Sequence, residues 1–120
     1  FGFRQVLALQ GTAGLWSPKV LRAGMGAHFG LDLVEGLDAA AVLATGLPLV
    51  VTSSHKGQDL FRSTLPWPCA WVFGHEGQGV GPLLMEHAEV SVQIPQPGGE
   101  ESLNVAAAAA ICLCESCRLA

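Results

Sequence analysis

Positive charge is scarce in this sequence: six Lys and Arg stand against ten Asp and Glu, for a formal net charge of −4. A nucleic-acid module usually reads basic, so this balance argues against RNA binding by bulk charge. Six cations can still cluster on one face. Charge of either sign is sparse, at 13%, and half the residues are hydrophobic, which excludes a disordered tail and a coiled coil. Long hydrophobic runs are lacking too. The longest, 39–51 and 105–114, fall short of the roughly 18 residues that suggest a membrane span, and Gly46 and Pro48 break the first. The opening ten residues lack the basic, apolar, small-residue succession of a secretory signal. Cysteines number four: Cys69, Cys112, Cys114 and Cys117. Cys114 and Cys117 form a C-x-x-C, but no second ligand pair stands at zinc spacing, and His87 has no partner. The expectation is buried thiols in a reducing cytoplasm, with no metal and no membrane.

What is present fits one domain of 120 residues with a real core. Fifteen glycines exceed the usual share of about 7%, so many turns or close backbone approaches are expected. Residues 5–10 read as a short buried strand. Ser17 and Pro18 mark a helix start, with the helix continuing to Ala27. Asp38 caps a second helix over 39–45, stopped by Gly46 and Pro48. Strands are expected at 49–53, 69–73 and 90–94, a helical turn at 58–63, a helix at 82–87, and a last helix over about 103–118. Apolar strands alternating with helices indicate an α/β fold: a mainly parallel sheet with helices on both faces.

Two loops carry chemistry. The first, Phe73-Gly74-His75-Glu76-Gly77-Gln78-Gly79-Val80, follows a strand and precedes a helix. Ligands of open α/β sheets bind beyond the carboxyl ends of strands, where glycines let backbone amides approach them. Glu76, the acid of this loop, either holds a ribose hydroxyl or caps the loop internally. The order G-x-x-G-x-G is not the dinucleotide fingerprint, and a plain tight turn explains the glycines equally well. The second loop runs from Ile94-Pro95-Gln96-Pro97-Gly98 to Ser102-Leu103-Asn104-Val105. Ser102 suits a helix N-cap. Asn104, a short amide in the first turn of an apolar helix, is not there for helix propensity. Outside the loops, Lys19 and Arg22 lie three apart on the first helix and so share a face. They either meet phosphate or form an ordinary solvated surface.

These two loops resemble the second and third motifs of the SpoU/TrmH-type RNA ribose 2′-O-methyltransferases. The last matches in spacing as well as residue type: Ile94-Pro95, Gly98, then Ser102-Leu103-Asn104-Val105. Leu15-Trp16-Ser17-Pro18-Lys19-Val20-Leu21-Arg22-Ala23, followed by Met25-Gly26-Ala27, is also similar, and the likeness covers nearly the whole chain.

The resemblance implies a deep C-terminal trefoil knot, a homodimer, and S-adenosylmethionine bound in the knot. It assigns cofactor contacts to Gly74, Ile94 and Leu103, largely through the backbone, and the reaction centre to Glu76, Ser102 and Asn104. Lys19 and Arg22 are candidates for RNA contact. The implied reaction is methyl transfer to a ribose 2′-OH of rRNA or tRNA. Departures are Gln96 for the usual Met, His75 for the common Asn and Ala106 for the usual Ser. The family's first motif, with its activating Arg, stands upstream of a segment like Phe1-Gly2-Phe3, so a knotted cofactor- or RNA-binding module without turnover is the second reading. A nucleotide hydrolase is a third, against which stands the absence of a Walker-type Gly-Lys-Ser/Thr.

Overall fold

The computed structural model describes residues 1–10, 14–53, 57–74, 80–98 and 104–120. Their contacts divide the chain into two compact units, Gly2–Gly46 and Leu47–Ala120, with Phe1 belonging to the second.

The first unit opens with β1 (Gln5–Leu9), which pairs in parallel with β2 (Asp32–Leu37). The register sets Gln5 against Asp32 and Leu7 against Val34, then shifts before Leu9 meets Leu37. Gly36, at φ +70°, lies in the shifted stretch, where an L side chain would be strained. β2 is an addition to the strands expected from sequence. Its acids Asp32 and Glu35 and its glycine break the apolar run, and a strand of a half-exposed two-stranded sheet needs no such run.

Between these strands lie α1 (Pro18–Gly24) and a 3-10 turn (Ala27–Gly30). The expected single helix to Ala27 is therefore too long. Met25 (φ 51°) and Gly26 (φ 89°) adopt left-handed backbone in succession, which ends an α-helix and releases the chain into the next turn. α2 (Ala39–Leu43) starts as expected, with the Asp38 side chain accepting from the Ala41 amide at 2.9 Å.

The second unit is built on a four-stranded parallel sheet in the order β4 (Gln58–Asp59), β6 (Val90–Gln93), β3 (Leu49–Thr52), β5 (Ala70–Val72). β3 is central. Val50 and Val51 point to opposite faces and both are 0% exposed, so the strand is covered on both sides. Leu60 and Val92 are equally sealed, and full burial of a side chain such as Leu60 stabilises the fold by about 2 kcal/mol.

The expected helical turn at 58–63 divides in two. Gln58–Asp59 pairs with Val92 and Gln93, and a 3-10 turn (Leu60–Arg62) follows, its Phe61 amide held by the Asp59 carboxylate at 2.9 Å. Gly57 makes this pairing possible. A Cβ there would stand 2.3 Å from the Val92 carbonyl carbon and 2.6 Å from the Gln93 nitrogen.

α3 (Pro82–Glu86) precedes β6, and α4 (Val105–Leu119) closes the chain. α4 buries Cys112, Glu115 and Ser116. Its N-cap is Asn104, not Ser102: the Asn104 side-chain oxygen accepts from the Ala106 amide at 2.9 Å and the Ala107 amide at 3.3 Å. The helix therefore starts two residues later than expected, after an extended Asn104 (ψ 134°). Cys69 and Cys112 are buried free thiols, whereas Cys114 and Cys117 are exposed, contrary to the expectation of burial for the whole set. The C-x-x-C spacing puts both on the side of α4 away from Cys112 and Ser116.

Candidate active site at the carboxyl edge of the sheet

Parallel strands end at one edge, and in the second unit two of the candidate residues, Gly74 and Ile94, stand just beyond it. β5 and β6 flank β3, with Val51 level with both Val72 and Ser91. Gly74 follows β5 by two residues, and Ile94 follows β6 directly, so the two lie either side of the β3 terminus. Both are half-buried. The edge is tied together where the ladder runs out: the Ser53 amide donates to the Val92 carbonyl at 2.9 Å, and the Thr52 hydroxyl donates to the Val72 carbonyl at 3.5 Å. Beyond these points the backbone at 73–74 and 94–95 has left the strand pairing. This is the place where open parallel sheets bind theirs.

Asn104 sits at the start of α4 and is exposed. Capping occupies its carbonyl oxygen and leaves its amide NH2 as a donor toward a ligand. Glu76, Ser102 and Leu103 lie outside the described residues. Lys19 and Arg22 belong to the other unit, on α1, where both are exposed.

Sequence reasoning passed over an aromatic pair beneath the first loop. Trp71 on β5 and Phe73 just past its end stand two apart in extended chain, and their rings stack at 5.9 Å with 8° between planes. The Trp-x-Phe spacing was the available signal. The stack supports the strand end from which Gly74 emerges.

Burial disfavours the thiolate form of both buried cysteines. Burial pushes Cys112 up to about 11 and raises Cys69 as well. Among the described residues no cluster of His, Cys, Asp and Glu could hold a metal ion, and no helix is long and apolar enough to cross a membrane.

Comparison with known proteins bears on the family and the fold. The model of the SpoU rRNA Methylase family matches residues 1–114. The 23S rRNA (guanosine-2′-O-)-methyltransferase RlmB of Pseudomonas putida is 30% identical over 98% of the chain, and RlmP of Bacillus subtilis, a 23S rRNA (guanosine(2553)-2′-O)-methyltransferase, is 33% identical over 92%. The matches cover 49% and 46% of those proteins, so the chain spans about half the length of these curated relatives. Among solved structures, a TrmH-family RNA methyltransferase from Porphyromonas gingivalis superposes with a TM-score of 0.85 at 34% identity, over 95% of this chain and 48% of that one. The SpoU methyltransferase AviRb of Streptomyces viridochromogenes, solved in complex with the cofactor AdoMet, superposes with a TM-score of 0.87 at 28% identity, over 98% and 50%.

Proposed function

The chain belongs to the SpoU rRNA methylase family, and on that premise we propose that it serves S-adenosylmethionine-dependent methyl transfer to a ribose 2′-OH of rRNA or tRNA. The observation that supports this most is the shared carboxyl edge of β5 and β6. It sets Gly74 and Ile94 on either side of the β3 terminus, beyond the ladder, an arrangement that suits a nucleoside held largely by backbone contacts.

S-adenosylmethionine, when bound, supplies a methyl group on a positively charged sulfur. The protein's own task is to hold and align. Gly74, Ile94 and Leu103 are the residues we assign to cofactor binding, and Glu76, Ser102 and Asn104 to the reaction centre. Positioning of this kind can contribute about 7–11 kcal/mol to a displacement reaction when the alignment is good. Asn104 orients a substrate oxygen through its free amide while its carbonyl holds α4 in place. Lys19 and Arg22 contact RNA phosphate.

The reading includes residues 1–120 as one methyltransferase domain, a C-terminal trefoil knot, a homodimer and a cytoplasmic location with its RNA. For the dimer, an open apolar groove of about 400 Å³ between Phe1, Phe61, Ala110, Ile111 and Cys114 offers α4 as a contact surface.

Calorimetric titration with S-adenosylhomocysteine tests the reading. Saturable one-site binding, weakened in Asn104→Ala, is the expected result. A folded chain that takes up no S-adenosylhomocysteine removes the cofactor assignment. Sedimentation at micromolar concentration tests the dimer, and a monomer there rejects it.

A further inference from the structure

We infer that Trp16 and His28 form a stacking platform for an unpaired nucleobase of the RNA, with Lys19 and Arg22 beside it for the adjoining phosphates. This rests on the reading above that RNA is the substrate, and it adds a recognition subsite in Gly2–Gly46.

Charge distribution selects this unit. It holds Arg4, Lys19 and Arg22 against Asp32, Glu35 and Asp38 and is balanced, so the net −4 of the chain resides in the other unit. Its acids are engaged locally. Asp32 accepts from the Gln5 amide at 2.9 Å, Glu35 from the Leu15 backbone amide at 3.0 Å, and Asp38 from the Ala41 amide. Lys19 and Arg22 are exposed on α1 and form no ion pair among the described residues.

The aromatic pair stands at the start of the same helix. Trp16 is 52% exposed, and its ring lies 5.1 Å from that of His28 at a tilt of 55°. A tilted neighbour supports the indole at one side and leaves a face open. His28 is itself fixed. Its Nε2–H donates to the Leu15 carbonyl at 2.6 Å, which can only accept, so the proton must be on that nitrogen. The other side of the imidazole rests on Gly24, where a Cβ would come within 2.8 Å of Nδ1 and Cε1. The ring is thus clamped by a hydrogen bond, a close backbone approach and the indole. A rigid aromatic surface is a stacking partner for any base, because every base has a π face.

Trp16 stands two residues before α1, and from Pro18 to Arg22 the helix advances about 6 Å, within reach of a base and its flanking phosphates. His28 also forms one wall of an open apolar cleft of about 320 Å³ with Val6, Leu15, Leu31 and Leu33, a lining suited to a base and hostile to a phosphate. Trp67 is similarly exposed but belongs to the unit that carries the net negative charge.

The test is a titration of the chain with fluorescein-labelled oligouridine, beside a duplex RNA of equal length, and with S-adenosylhomocysteine in a separate calorimetric cell. Oligouridine should bind more tightly than duplex. Trp16→Ala should weaken it about 10-fold, whereas Trp16→Phe should keep most of the affinity. The difference in intrinsic fluorescence between wild type and Trp16→Phe isolates Trp16 and should quench on binding, a readout that survives even if Trp16→Ala fails to fold. Lys19→Glu with Arg22→Glu should weaken binding and flatten its salt dependence. Unchanged affinity in a folded Trp16→Ala, absent quenching of Trp16, or no oligouridine binding at all overturns the platform. If S-adenosylhomocysteine still binds in those cases, the methyltransferase reading stands. If oligouridine binds through Trp16 while S-adenosylhomocysteine does not bind, the platform stands and the cofactor assignment falls.

Discussion

The chain holds two parallel sheets, and they differ in what covers them. In Leu47–Ala120 the central strand β3 has neighbours on both edges and cover on both faces, so Leu49, Val50 and Val51 are all buried. In Gly2–Gly46 the β1–β2 pair buries Ala8 and leaves Val6 39% exposed. The hydrogen-bond pattern is the same. A parallel ladder is strong where hydrophobic cover excludes water, and the cover is what the two units do not share. The sealed sheet ends in the edge proposed above for the cofactor. The open one carries Trp16, Lys19 and Arg22 where a large, irregular polymer can reach them.

The largest break in this comparison comes from placing a charge in each sheet. Val51→Asp should abolish cooperative folding of its unit, at a cost above about 4 kcal/mol, because the carboxylate would be buried without a partner. Val6→Asp should cost only about 1 kcal/mol, since that side chain already meets water. Urea denaturation followed by circular dichroism checks both, and equal effects would erase the distinction.

Two glycines sharpen it further. Gly57→Ala should destabilise by about 3 kcal/mol or more, because the new methyl meets immovable β6 backbone. Gly24→Ala meets a side chain instead. The gain of about 1 kcal/mol from a helix-favouring alanine is offset by loss of the His28 to Leu15 hydrogen bond, worth about 1 kcal/mol. The expected outcome is a stability change near zero with a displaced His28 resonance in the NMR spectrum.

At the start of α4, Asn104→Ala should cost about 1 kcal/mol through the lost cap, and Asn104→Ser should restore most of that stability. Cofactor affinity separates the two roles of this residue. If the free amide contacts ligand, the serine variant recovers stability without recovering S-adenosylhomocysteine affinity.

The smallest effect is expected at the far end of the same helix. Glu115 receives Arg118 at 2.7 and 2.9 Å in a two-pronged ion pair. The hydrogen bond from Arg118 holds the carboxyl below its ordinary range, so the pair's contribution is present above the unfolded pKa and is lost as pH falls through the lowered folded one. Glu115→Gln should therefore lower stability slightly at neutral pH and leave it unchanged at low pH, which flattens the acid limb of a thermal-stability profile.

Much of the chain was legible because its cues are local. Consecutive apolar β-branched residues at 49–51 mark a strand covered on both faces, and Asp38 and Pro82 mark helix starts by chemistry that acts within one turn. The carboxyl-edge location of Gly74 and Ile94 also follows from strand, loop, helix order. Other features depended on distant partners. β2 becomes a strand because β1 pairs with it, despite Glu35 and Gly36. Gln58–Asp59 is drawn into the sheet by the exposed edge of β6, against a local preference for a turn. Asn104, expected within the first turn of the last helix, proves to be the N-cap of α4.

The residues by themselves determined the α/β class, the central apolar strand, most helix starts and the two loops by which the family resemblance could be read. These rest on side-chain periodicity and on capping over a few residues. Tertiary structure decided which strands join which sheet, why position 57 has no room for a side chain, which cysteines are sealed, and how His28 comes to be wedged between Trp16 and Gly24. Those outcomes depend on contacts between segments remote in sequence, whose energies no local pattern contains.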